Sequence, residues 1–107
     1  MTGVERRSTR EWLRAAPLAY FEAVDRKDLD ATLCFFAEDA TFTVQSAGLH
    51  HSGRREIAGM FRAFFADYAT IRHDVTNLVV DEVAARAATE QRCPHVRADG
   101  SPEPVTA

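Results

Sequence analysis

The chain has 107 residues, 46% hydrophobic and 27% charged, with a formal net charge of −3, which suits one ordinary globular domain with enough apolar material for a core. Mild acidity and the lack of a Lys/Arg stripe give no reason to expect a nucleic-acid partner. No run approaches the ~20 apolar residues that span a bilayer, and Met1 to Arg7 lacks an apolar signal core, so a cytoplasmic protein with no membrane partner is expected.

Residues 1–8 read as a disordered tail before a single domain covering 1–107. Ser8 and Glu11 have capping-box spacing and open a first helix with Leu13, Tyr20 and Val24 on one stripe and Phe21 beside them. Pro17 either kinks this helix or marks the first turn of a later-starting one. Asp28 is a good N-cap for a short second helix that turns Leu29, Leu33 and Phe36 to the core. Between Ala40 and Gln45 the period drops to two, which predicts a strand. Ser46-Ala47-Gly48 is a turn, and Leu49-His50-His51 a brief returning strand. Ser52 or Gly53 caps a third helix whose stripe of Ile57, Met60, Phe61, Phe64, Phe65 and Tyr68 is the clearest amphipathic signal in the chain.

From Thr70 the period is again two. Ile71, His73, Val75, Asn77 and Val79 share one face of a long strand, and a hairpin at Asp81-Glu82 leads to a second strand from Ala84 to His95. Pairing Val80 with Ala84 would set His73 opposite Gln91 and leave His95 ~13 Å further along, unless Pro94 marks a bulge that draws the two together. Residues 102–107 look like the start of an incomplete strand. Helices gathered early and strands late predict an α+β fold, with three N-terminal helices on a curved antiparallel sheet and a pocket between the layers. Cys34 and Cys93 read as buried small hydrophobes in a reducing compartment rather than a disulfide.

The stretch Tyr20 to Asp30, followed by Phe36-Ala37-Glu38-Asp39-Ala40-Thr41-Phe42, resembles the opening of SnoaL-like (nuclear transport factor 2-like) domains. Gly53-Arg54-Arg55-Glu56-Ile57 resembles their third-helix start, and His73 to Val80 their first long strand. The resemblance implies a cone-shaped α+β barrel-like fold with an apolar pocket. That fold hosts cyclases, isomerases, dehydratases, dehydrohalogenases and binding modules, so it does not fix an activity. In the ketosteroid isomerase branch a helix-1 tyrosine matches Tyr20, but the base would fall near Val44, which takes no proton. In the scytalone dehydratase and hexachlorocyclohexane dehydrochlorinase branches an aspartate ending helix 1 matches Asp25, and a first-strand histidine matches His73. A proline-preceded histidine of the dehydratase branch matches Pro94-His95. The family's sheet continues through further strands, so a C-terminally truncated member is expected.

His73 interrupts an apolar face, and its imidazole is the side chain best able to change protonation near neutral pH. The residues alone leave open whether it is a core histidine satisfied by a carbonyl or a general base. The resemblance favours a base oriented by Asp25. Asp25 could equally belong to the solvated charge cluster running to Asp30, and His95 to a frayed strand end. The catalytic pair expected is therefore His73 and Asp25, with Tyr20, His95, Phe21, Met60 and Phe64 as substrate-binding groups. The expected reaction is proton abstraction from a small hydrophobic molecule by a cofactor-free lyase or isomerase. No histidine or cysteine spacing forms a compact metal motif, so no metal is expected. The alternative is a non-catalytic ligand-binding or dimerisation domain of the same fold, and a homodimer is expected under either reading.

Overall fold

The computed structural model describes residues 9–100; the capping role of Ser8, the tail and the final strand lie outside this range. Helix α1 runs from Thr9 to Asp25 and buries Leu13, Ala23 and Val24. Pro17 sits inside it rather than at its start, so the helix tolerates a missing backbone donor in mid-course. Its end is well defined. The Asp28 N–H donates to the Ala23 carbonyl and the Lys27 N–H to that of Val24, a Schellman pattern with Lys27 in the left-handed region at φ +57°. The Lys27 ammonium also donates to the Tyr68 carbonyl. This tie fixes the helix end against the segment that follows the third helix.

Asp28 then caps α2 (Leu29–Leu33), its carboxylate accepting from the Ala31 N–H at 3.0 Å. Strands β1 (Thr41–Val44) and β2 (Leu49–Ser52) pair antiparallel around a single 3-10 turn that ends on Gly48 at φ +66°. Gly53 is the N-cap of α3 (Arg54–Asp67) at φ +88°, a conformation that favours glycine. Ser52 contributes its N–H to the Glu56 carboxylate instead of capping. The core joins α1 and α3 through Val24, Ile57, Phe61 and Ile71, with Tyr20, Phe36, Phe42, Met60 and Phe65 packed around them.

The long strands differ from the alternation in the sequence in two ways. First, β4 (Asp74–Asp81) pairs with β5 (Arg86–Arg92) across a turn of four residues, with Val80 opposite Ala87 rather than Ala84. Asp81 accepts from the Val83 and Ala84 N–H groups and shapes that turn. A bulge between Val75 and Asn77 then reverses the facing, so Leu78 and Val80 are half-buried while Asn77 and Val79 are exposed. Second, the hairpin is interrupted. Its ladder stops beyond Asp74↔Arg92 and resumes at Thr70↔Val96, where β3 (Tyr68–Thr70) meets β6 (Val96–Arg97). Three residues on each side fall out of the ladder, 71–73 and 93–95. Pro94 supplies no N–H there, and the His95 N–H turns back to the Cys93 carbonyl at 2.8 Å. The result is a mixed fold of three helices and antiparallel ladders, the α+β cone expected. No helix among the described residues is long and apolar enough to cross a membrane.

Candidate active site

The interruption in the hairpin faces the end of α1, and this meeting builds the site. The Schellman turn stops α1 immediately after Asp25, leaving its carboxylate level with residues 71–73. One oxygen accepts from the His73 backbone N–H at 3.0 Å, and the other pairs with His73 Nδ1 at 2.6 Å. A backbone donor freed from the ladder is thus satisfied by the same carboxylate that orients the ring. Phe21, one helical turn before Asp25, stacks on the imidazole at 4.5 Å between centroids and 22° between planes. The His73 side chain keeps 11% of its surface exposed and that of Asp25 27%, so the pair is shielded yet reachable.

His95 approaches from the other strand of the interrupted hairpin. Its ring lies edge-on to that of His73 at 5.0 Å, with Phe64 and Tyr68 against its other sides. The sequence-based separation of ~13 Å therefore does not hold: His73 is level with Cys93, not Gln91, and residues 93–95 fold back toward it. His95 Nδ1 accepts from the Arg72 backbone N–H at 3.1 Å.

These hydrogen bonds give the two rings, in their neutral forms, opposite tautomers. A proton on His73 Nδ1, held by Asp25, leaves a lone pair on Nε2. A lone pair on His95 Nδ1, engaged by Arg72, leaves the proton on Nε2. One ring presents an acceptor and its neighbour a donor. Cys93 adds a thiol to the cluster; burial and the nearby carboxylates of Asp25 and Asp74 push its pKa up, so it stays protonated.

An apolar groove lies to one side of this cluster. It is shallow, about 350 Å³ along α1, and lined by Trp12, Leu13, Ala16, Pro17, Tyr20, Phe35, Phe36, Phe42 and Ala87. Tyr20 joins groove to cluster, since its ring packs on Phe21 at 5.1 Å. Burial raises the Tyr20 pKa well above the ordinary phenol value, so its hydroxyl remains a donor. Of the residues expected to hold substrate, Tyr20 lines the groove, His95 forms the ring pair with His73, and Phe21 and Phe64 flank that pair. Met60 does neither: it packs against the hydrophobic core. Sequence reasoning treats Cys93 as a buried small hydrophobe and Tyr68 as part of the third-helix stripe and gives Arg72 no role; the structure leaves Cys93 exposed beside Pro94 and puts Tyr68 on β3.

A cone of three helices over antiparallel ladders, with a polar cluster at the end of its first helix, defines the class. The SnoaL-like domain profile matches residues 18–107, and the chain belongs to that family. A crystal structure of a candidate aromatic ring hydroxylase from Novosphingobium aromaticivorans is similar over 94% of this chain and 71% of its own, at 28% identity and TM-score 0.76. A candidate polyketide cyclase from Xanthomonas campestris is similar over 84% of this chain and 65% of its own, at 27% identity and TM-score 0.73. A candidate SnoaL-like polyketide cyclase from Shewanella putrefaciens shares the fold over 77% of this chain and 58% of its own, at 12% identity and TM-score 0.67. The chain thus spans less than two thirds of the two cyclase structures. No protein of curated function matches it.

Proposed function

We propose that this domain is a cofactor-independent lyase or isomerase that removes a proton from a small, mostly apolar substrate. The observation that carries the proposal is the 2.6 Å contact between Asp25 and His73 Nδ1, made beside a second ring of opposite tautomer. His73 Nε2 would take the proton while Asp25 stabilises the imidazolium formed. His95 Nε2–H would hydrogen-bond the substrate oxygen or leaving group on which charge develops. The apolar body would lie in the groove against Tyr20, with Phe21 between it and His73. Free thiols at Cys34 and Cys93 suit a cytoplasmic setting in this reading. A homodimer belongs to it as well, through the outer edge of β5, which has no strand partner among the described residues.

The test is a screen of small hydroxylated, carbonyl and halogenated substrates for elimination, double-bond migration or solvent-deuterium uptake. Turnover by the native protein should fall roughly 10²–10⁴-fold in His73→Gln and strongly in Asp25→Asn. Full activity in His73→Gln would overturn the assignment. The groove favours a second reading because the histidine pair does not line it: a domain that only holds an apolar ligand or partner. Stoichiometric ligand binding that survives both substitutions, with no turnover, would support that reading.

A further inference from the structure

His73, Cys93 and His95 are spread over more than twenty residues of sequence, and no compact motif unites them. The double interruption of the hairpin nevertheless gathers one ligand atom from each, all within 4.8 Å of one another. Nitrogen and sulfur donors around a tetrahedral ion of the zinc class lie about 3.3–3.6 Å apart, given bond lengths of about 2.0–2.3 Å. The widest pair needs to close by about 1.2–1.5 Å, and all three residues sit on segments outside the ladder.

One further feature favours a cation at this point. The Asp25 carboxylate on His73 Nδ1 is the arrangement that orients a metal-ligating imidazole and raises its basicity, and it leaves Nε2 available to an ion.

We propose that His73, Cys93 and His95 form a three-ligand site for a thiophilic divalent cation of the zinc class, with a fourth position open to solvent. On binding, the Cys93 S–H bond breaks, the proton passes to solvent and a metal–sulfur bond forms, with no change of oxidation state. Ligation through His95 Nε2 moves that ring's proton to Nδ1 and releases the Arg72 N–H hydrogen bond. Because His73 Nε2 is also the nitrogen assigned to proton abstraction, an ion here silences the base. The site itself needs only the three donors and does not depend on the catalytic reading.

The experiment is a titration of the reduced 107-residue chain with Co²⁺, followed by displacement with Zn²⁺. Binding of one ion per chain with a thiolate-to-cobalt charge-transfer band is expected. Cys93→Ser should abolish the band and Cys34→Ser leave it intact. His73→Gln and His95→Gln should each weaken Zn²⁺ binding at least tenfold, and the Arg72 amide resonance should shift on Zn²⁺ addition. Amide spectra establish that each variant is folded, and Cys93, being exposed, tolerates serine. The absence of a band, a band that follows Cys34, or Zn²⁺ affinity unchanged in both histidine variants would overturn the proposal. None of those results bears on turnover by His73, which the substrate screen reads separately.

Discussion

Replacing Asp25 by Asn tests whether the α1 terminus and the interrupted hairpin are held by one carboxylate. Asp25 accepts two hydrogen bonds, from His73 N–H at 3.0 Å and from the ring at 2.6 Å. Bonds to a charged acceptor contribute about 1.5–3 kcal/mol each, and partial exposure of the carboxylate places these toward the low end. Asn keeps one acceptor and turns an N–H₂ group toward the other donor, so a loss of about 2–3 kcal/mol is expected. For a domain of this size that lowers Tm by roughly 8–20 °C. Urea unfolding of Asp25→Asn, His73→Gln and the double variant separates the two bonds. The side-chain bond should appear as a coupling energy of about 1–2 kcal/mol, while the bond to the backbone persists in His73→Gln. Ring ¹⁵N shifts should show His73 protonated on Nδ1 in the native protein and a mixture of tautomers in Asp25→Asn. A coupling below about 0.5 kcal/mol, the usual error of additivity for independent sites, together with an unchanged tautomer, would refute the pairing.

Phe61→Ala should be the most damaging single truncation, because the ring is buried and touches Tyr20, Phe36, Phe42 and Phe65. A cost of about 3–5 kcal/mol would bring a small domain close to unfolding, visible as loss of amide dispersion or of the cooperative melt. Asp28→Ala removes the α2 cap and should cost about 1 kcal/mol in urea unfolding, with the Asp25–His73 bond retained. Tyr20 governs an alkaline transition. Its folded pKa is raised, so above the unfolded value of about 10 the unfolded chain releases a proton that the native state keeps, and stability falls as pH rises. Tyr20→Phe should flatten that slope above pH ~10 in guanidinium titrations and leave stability near neutrality almost unchanged.

What the sequence discloses follows from which interactions are local. The α3 stripe from Ile57 to Phe65, the Asp28 cap and the β1–β2 hairpin depend on neighbouring residues, and the structure contains each of them, while Tyr68, read as the stripe's last member, begins β3. The bulge near Thr76 is invisible to alternation, because two residues facing one on the partner strand leave the hydrophobic pattern intact while reversing its facing. Asn77 and Val79 are therefore exposed where the pattern puts them inward. Pro94 announces a break on one strand. That residues 71–73 leave the ladder opposite it depends on Asp25 satisfying the freed His73 N–H, a contact across 48 positions. Met60 shows the converse limit: its spacing marks an inward residue, and spacing alone does not separate a core wall from a pocket wall.

The geometry also constrains which substrates the proposed reaction could use. From Tyr20, the last groove residue on α1, to Asp25 is five residues, about 7.5 Å along the helix axis. Phe21 fills that interval with its ring stacked on His73. A molecule confined to the groove does not reach His73 Nε2, and one confined to the histidine pair gains little apolar burial. Under the proposed reaction, a ligand that is turned over would need an apolar body for the aromatic wall and an acidic C–H at its end, carried past Phe21. Phe21→Ala would open that passage and remove the ring that holds the imidazole. It should lower turnover of bulky substrates less than that of compact ones, if access limits the reaction, and lower both alike if orientation of His73 does. Comparing kcat with KM for a long and a short substrate in this one variant distinguishes the two. Unchanged kinetics for both would mean that the substrate does not approach along α1 at all.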